Sequence, residues 1–434
     1  MRIVLLLSVI IGFTACKDTS TKTEIFDSQA IHKANRALIE ISMEDIFNPP
    51  VATRVFAYPN LLAYDVYMHR KGTSVINSIK SDLISPTYKD TAHIDYSYAA
   101  VVAFYHAAKK LVFSEHLADQ MMEKFEMTAD SLGISASRKK ASADYAKTIF
   151  DEFSPWVDAD GYAQVKADNL YTIRGHDSTW VLTPPNYEPA LEPKWKNLRP
   201  IVLDDVKNYQ PIPRPPFSED KDSEFYKAAM DVYIQFSKNK DDNRNIAKHW
   251  DCNPNEFIQK GHTMEFNHRI SPPGHWVGIA RTVAELTNAD LVKTMKTYAA
   301  ITTAMFDGII ACWYTKYTEE LIRPVTYINR YIDETWAPYI QTPPFPEYTS
   351  GHSVVSGCSS SILNMLYPNT SFVDYTEVEF GLPARSFKSL HDAGEEASLS
   401  RFYGGIHYRF GVDNGLEQGR KIGKRILEQF ENNE

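Results

Sequence analysis

Apolar positions along this chain recur at intervals of three and four. Ile94, Tyr98, Val101, Tyr105 and Ala108 form one such face. Leu291, Met295, Thr302, Met305, Ile309 and Trp313 form a second, and Val354, Val355, Cys358, Ile362, Met365 and Leu366 a third. That period predicts helices with one buried stripe, and the alternating runs that would mark strands are scarce. The fold class read from the pattern is all-α. Asn48-Pro49-Pro50 separates one early helix from the next. Residues 184–216 hold nine of the chain's 24 prolines, so they cannot be continuous helix and predict an irregular excursion over the surface or a lid. Around it lie a helical N-terminal half, 27–218, and a helical C-terminal half, 219–434, expected to pack as one body.

The first residues read differently. "MRIVLLLSVIIGFTAC" carries one basic residue, Arg2, and an apolar run too short to span a bilayer. It is expected to be an export signal, and Thr14-Ala15-Cys16 resembles a bacterial lipobox. Residues 1–16 would then be the signal and lipidation site, with Cys16 the lipid anchor to a membrane, on the periplasmic face or the cell surface. Residues 17–26 would be a polar tether. Of the four cysteines only Cys252, Cys312 and Cys358 remain. An odd number is no disulfide framework, no CxxC pair signals a cysteine-ligated zinc, and all three are expected to be small buried hydrophobes.

Hydrophobic residues at 43% and charged ones at 23% describe a globular chain. The net charge of -9 with no basic run argues against nucleic acid as a partner. A small anion needs only a local positive pocket, and three stretches offer its parts. In "WYTKYTEELIRP", Lys316 and Arg323 are seven residues apart, which on one helix puts both on one face about 10 Å apart along the axis. Pro324 places Arg323 near a helix end or kink. In "FPEYTSGHSVVSGCSSS" a helix should begin near Ser350 or Gly351, with free N–H groups and positive dipole potential for an anion. His352 would project from its first turn. In "SRFYGGIHYRFGVDNG", Arg401 and His407 flank Gly404-Gly405, and Ser400 is a reasonable N-cap. Together these supply three cations, neutral donors and two imidazoles. That set suits a tetrahedral oxyanion such as phosphate or vanadate. One imidazole would attack or ligate the central atom while the other handles protons. No acidic partner points to a serine nucleophile.

In order and spacing, Lys316…Arg323-Pro324, Ser350-Gly351-His352 and Arg401…His407 resemble the signature of the vanadium haloperoxidase and type 2 phosphatidic acid phosphatase superfamily. The wording around Trp313, Phe345-Pro346 and Tyr348 is more similar to the haloperoxidase branch, notably bacterial iodoperoxidases. The resemblance implies a helical bundle of that type and a vanadate cofactor. Lys316, Arg323, Arg401, Ser350 and the Gly351 N–H would hold its oxygens, and His407 would bind vanadium axially. His352 would be the acid–base residue, and Trp313 and Phe345 would line a halide pocket. The substrates implied are hydrogen peroxide and a halide, iodide before bromide, with a small organic acceptor downstream. The alternative is an acid phosphatase acting through phosphohistidine at His407; a third is a non-catalytic phosphate-binding lipoprotein.

Two positions depart from the pattern. Thr349 replaces a proline common before Ser-Gly-His, which removes one constraint on the turn. Gly411 stands where the family often has an aspartate, so Asp413, another carboxylate or a backbone carbonyl must orient His407. Upstream, residues 249–276 hold His249, His262, His268 and His275 without an HExxH pattern, and no separate metal site is read there. Trp250, Phe257 and His262 are candidates for the pocket wall.

Overall fold

The computed structural model describes residues 24–85, 93–237, 240–254, 257–260, 262–266 and 269–432. The export signal, Cys16 and most of the tether lie outside these. Glu24 to Phe26, assigned to the tether, belong to the body instead. Phe26 is buried, its ring 4.8 Å from that of Phe125, and Tyr67 donates to Glu24 at 2.5 Å. Burying one aromatic ring is enough to dock a three-residue end.

Helices dominate, as the period predicts. The N-terminal half contains α1 (Ser28–Glu44), α2 (Pro49–Met68), α3 (Val75–Ile79), α4 (Tyr96–Leu111), α5 (Glu115–Ser131), α6 (Ala136–Asp158) and α7 (Tyr162–Ala167). Beyond the proline-rich stretch come α8 (Glu224–Ser237), α9 (Lys240–His249), α10 (Pro272–Leu286), α11 (Leu291–Glu319) and α12 (Pro324–Tyr331). Helices α13 (Gly351–Leu366), α14 (Leu390–Tyr403) and α15 (Arg409–Glu431) complete the bundle. Strands among the described residues amount to two antiparallel ribbons. These are β1 (Phe257–Lys260) with β2 (Thr263–Phe266), and β3 (Phe372–Asp374) with β4 (Arg385–Phe387). The break before α2 is chemical: Asn48 accepts from the N–H of Val51 at 3.1 Å, and prolines fill the first helical positions.

The 29-residue α11 is the axis of the molecule, buried almost all round between α2 on one side and α13 and α15 on the other. A helix surrounded in this way has no polar face to spare, and every position from Thr294 to Trp313 is buried. Helices α13 and α15 meet backbone to backbone. A Cβ at Gly419 would stand 2.2 Å from the carbonyl oxygen of Val354, so only glycine fits. None of the described helices is long and apolar enough to cross a membrane.

The proline-rich stretch is irregular, as expected, and residues 184–190 and 211–216 run partly exposed over the surface, but its middle is packed into the body. Trp195, Leu198, Ile201, Val202 and Leu203 are buried against the core. The buried Asp307 of α11 receives the N–H groups of Ile201, Val202 and Leu203 at 2.7, 2.8 and 3.0 Å. One carboxylate thus satisfies three backbone donors that no helix or sheet could serve. Asp307→Ala should cost roughly 3–5 kcal/mol, because several buried N–H groups lose their acceptor. The cost should appear in urea unfolding as a lower midpoint at unchanged slope. A loss below about 1 kcal/mol would show that apolar contacts alone hold the segment.

Candidate active site

The three cations converge, though not by the route the spacing implied. Lys316 and Arg323 do not share a helix face. Glu320 turns left-handed (φ 48°) and ends α11, and Arg323 becomes the residue preceding α12, with Pro324 in its first turn. The chain therefore bends between them, and both side chains are fully buried. Lys316 Nζ donates to the carbonyls of Pro346 and Glu347 at 2.9 and 3.0 Å. Arg323 Nε donates to Phe345 O and Nη1 to Ile406 O, each at 2.8 Å. Arg401 comes from the last turn of α14, and its Nη1 donates to Trp250 O at 3.0 Å. Ser400 lies inside α14, so it caps nothing downstream.

Ser350 and Gly351 form the start of α13 as predicted, the Ser350 hydroxyl accepting from Ser353 N at 3.2 Å. Thr349 does not leave the turn loose: its hydroxyl donates to Gln418 Oε1 at 2.8 Å. Gly351, His352, Arg401 and His407 line one cavity with Trp313 and Phe345. Pro49, Glu188 and Leu191 of the N-terminal half line it as well. The rings of Trp313 and Phe345 are 5.1 Å apart, and a Cβ on Gly351 would stand 3.2 Å from the Trp313 ring. Trp313 Nε1 is held by Leu191 O at 3.3 Å. Lys316 Nζ lies 4.8 Å from the Phe345 ring centre and Arg323 Cζ 4.9 Å, so that ring covers both cations.

The partner of His407 is Glu347. His407 Nδ1 donates to Glu347 Oε1 at 2.7 Å, and Tyr408 N donates to the same oxygen at 3.1 Å. Asp413 does not serve: it is half exposed and bound to Arg409 at 2.8 Å. Gly411 explains the exchange. A Cβ there would stand 2.3 Å from Glu347 Oε1, so the glycine opens the space that the carboxylate occupies. With Nδ1 committed to Glu347, Nε2 of His407 keeps its lone pair and accepts from Arg323 Nη1 at 3.1 Å.

Burial and neighbours set the charges. Burial, with Arg323, Lys316 and Arg401 nearby, holds His407 neutral. Burial and Arg401 do the same for His352, whose Nε2 is buried with no hydrogen-bond partner in the protein. Desolvation lowers Lys316 to about 7 and Arg323 to about 10, and raises Glu347 to about 7. Shifts of this kind, caused chiefly by burial, cluster at functional sites. The orphaned Nε2 of His352, the unprotonated Nε2 of His407 and the buried cations fit a tetrahedral oxyanion in the cavity, so the residues present can hold vanadate.

Of the suggested wall residues, Trp250 lies behind the lining, which Cys252, Asn253 and Pro272 provide instead; its carbonyl holds Arg401, and its ring lies 6.4 Å from that of His352. His262 is exposed, and the side chain of Phe257 lies outside the described residues. Glu347 and the Trp250 carbonyl were not singled out from sequence; the unexpected Gly411 was the one available hint.

Comparison with known proteins agrees with this geometry. Residues 332–433 match the family model for the second helical-bundle domain of VCPO. The crystal structure of a bacterial vanadium-dependent iodoperoxidase superposes with a TM-score of 0.81 at 38% identity, over 93% of this chain and 96% of the other. A bacterial vanadium-dependent chloroperoxidase is similar in its holo form (TM-score 0.63, 16% identity, 90% of this chain and 94% of the other). Its apo form is similar too (0.61, 15%, 88% and 95%), and at these identities the likeness speaks for the fold alone. No curated protein matches the chain. An ordered cradle in a bundle that aligns end to end with the iodoperoxidase places this chain in the vanadium-dependent haloperoxidase family.

Proposed function

We propose that this enzyme binds vanadate and oxidises iodide to hypoiodous acid with hydrogen peroxide. The observation that carries the reading is the His407 lone pair, aimed among buried cations and fixed by Glu347. Bound vanadate would supply Lewis acidity that activates peroxide without a change in metal oxidation state. Lys316, Arg323 and Arg401 would hold its oxygens together with the Ser350 hydroxyl and the Gly351 N–H, and His407 Nε2 would coordinate the metal. Neutral His352 would take a proton at Nε2 as peroxide enters and return it to the departing oxygen as water forms. The balance is H2O2 + I⁻ + H⁺ → HOI + H2O. Trp313 and Phe345 would keep bulk water from the halide. Iodide is favoured because it is the easiest halide to oxidise and because the 38% identical relative is an iodoperoxidase. A small organic molecule could accept the oxidised halogen. Phosphate fits the same cradle, so a phosphatase acting through His407 is the reading to test against.

The reading also includes export and anchoring through Cys16. Palmitate labelling of the expressed chain should succeed, and Cys16→Ser should abolish it and release the enzyme into the soluble fraction. Labelling that survives the substitution would refute the anchor.

Apoprotein should form triiodide only after orthovanadate is added, and excess phosphate should block that reconstitution. Hydrolysis of p-nitrophenyl phosphate without any vanadate-dependent peroxidase activity would favour the phosphatase. Sulfate, whose charge is constant near neutrality, should also bind, and more weakly as pH rises. Lys316 is charged below about 7 and Glu347 is neutral below about 7, so the cradle is most positive on the acid side. Affinity should fall by up to about tenfold per pH unit for each proton linked; calorimetry showing no pH dependence would contradict this.

His407→Ala should weaken vanadate binding by more than about 100-fold, since even loss of an outer-shell partner costs roughly 10–100-fold. Glu347→Gln should fall in that lower range. His352→Ala should instead cut turnover by roughly 10²–10⁴-fold with a smaller effect on vanadate affinity. Equal vanadate affinity in His407→Ala and wild type would overturn the assignment.

A further inference from the structure

Beside the cradle lies a buried cluster that the reaction does not use. Cys252, one residue beyond the hydrogen-bonded segment that holds Arg401, has its Sγ 3.2 Å from His275 Nδ1 and 3.8 Å from Glu377 Oε1. His275 Nδ1 and Glu377 Oε1 are 3.3 Å apart. All three side chains are buried, and Cys252 also lines the active-site cavity.

These separations have a specific meaning. Thiolate, imidazole and carboxylate donors around one tetrahedral zinc ion stand about 3.3–3.6 Å from one another, given the usual zinc–ligand lengths. The observed triangle is close to that. As a hydrogen bond, 3.3 Å is long for a charge-assisted N–H···O⁻ contact, which runs at about 2.7–2.9 Å. The other face of the His275 ring behaves differently. Its Nε2 lies 2.6 Å from Asp374 Oδ2, too close for two ligands of one metal and right for a hydrogen bond. Asp374 Oδ2 also meets His249 Nε2 at 3.1 Å, and Oδ1 accepts from Thr376 N at 2.9 Å. A ligating histidine whose second nitrogen donates to an anchored carboxylate is the recurrent arrangement at zinc centres. The Trp250 ring stacks on His275 at 4.6 Å and fixes its plane.

We propose that Cys252, His275 and Glu377 bind one divalent metal ion, zinc by ligand type, with Asp374 orienting His275. Thiolate with imidazole selects zinc over calcium or magnesium. Three protein donors leave the fourth tetrahedral position to water, and the cavity beside Cys252 gives the ion a way in. Cys252 is therefore more than a space-filler. The ligands are 23 and 125 positions from Cys252, a spacing that no short metal motif describes.

The purified enzyme should contain about one zinc per chain, apart from any vanadium. After chelation, Co²⁺ should restore a sulfur-to-cobalt charge-transfer band and the intense visible bands of a tetrahedral site. Cys252→Ser should abolish the charge-transfer band, and Asp374→Asn should weaken Co²⁺ binding about 10–100-fold. Should either variant fail to fold, zinc-edge absorption on the wild-type protein decides instead, with one sulfur expected at about 2.3 Å. Wild-type protein that holds no zinc and gives no thiolate–cobalt band, or a zinc shell without sulfur, would overturn the proposal. The cluster would then be an imidazolium ion pair. None of these readouts depends on peroxidase activity.

Discussion

One proton on His407 organises the cradle. While Glu347 holds it on Nδ1, Nε2 carries no proton and its lone pair accepts from Arg323 Nη1. Moving that proton to Nε2 would leave two donors, Nε2–H and Arg323, facing each other and a carboxylate without its partner. The fold reserves room for the pair with a glycine at 411, where any side chain would collide with Glu347. A carboxylate delivered from the loop before α13 therefore replaces one that relatives with this signature often carry on the helix after the histidine. The chemistry is kept while its source in the chain changes.

The cations pose the opposite problem, because they must be buried without being neutralised. Lys316 and Arg323 donate chiefly to backbone carbonyls of Pro346, Glu347, Phe345 and Ile406. Carbonyl dipoles satisfy the donors but leave the net positive charge in place, whereas carboxylates would cancel it. Such carbonyls exist only where the chain is irregular. Both residues accordingly lie beside helix ends, and the loop from Gln341 to Thr349 serves as their common acceptor. The low-dielectric surroundings that make the arrangement costly also make it strong towards an anion.

Much of this was legible in the sequence, and the boundary is physical. Helix starts are written in local chemistry, so Ser350-Gly351 and Pro324 marked where donors and breaks would fall. The all-α class followed from the period of three and four. What failed were statements needing knowledge of where a helix stops. Lys316 and Arg323 share a face only if α11 continues, and Glu320 ends it. Ser400 caps a helix only if α14 has already ended. Glu347 was invisible because its role is a contact across 60 positions, and the buried path of residues 201–203 depended on one acid, Asp307, far along the chain. Local pattern predicts elements; it does not say which buried polar groups will find each other.

Arg401 joins the cradle to the cluster behind it. Its guanidinium is positioned by Trp250 O and by Asp251, whose carboxylate lies 3.6 Å from Nη2. Both residues sit between His249 and Cys252, which are themselves tied to Asp374 and His275. The segment leading from α9 has no regular structure of its own to hold it straight, so its shape comes from these buried contacts. A shift there would move the carbonyl under Arg401, and with it one of the three charges of the proposed anion site. The geometry of the cradle thus rests on residues that never face an anion. This is the expected arrangement when a rigid constellation must be held on loop-borne groups.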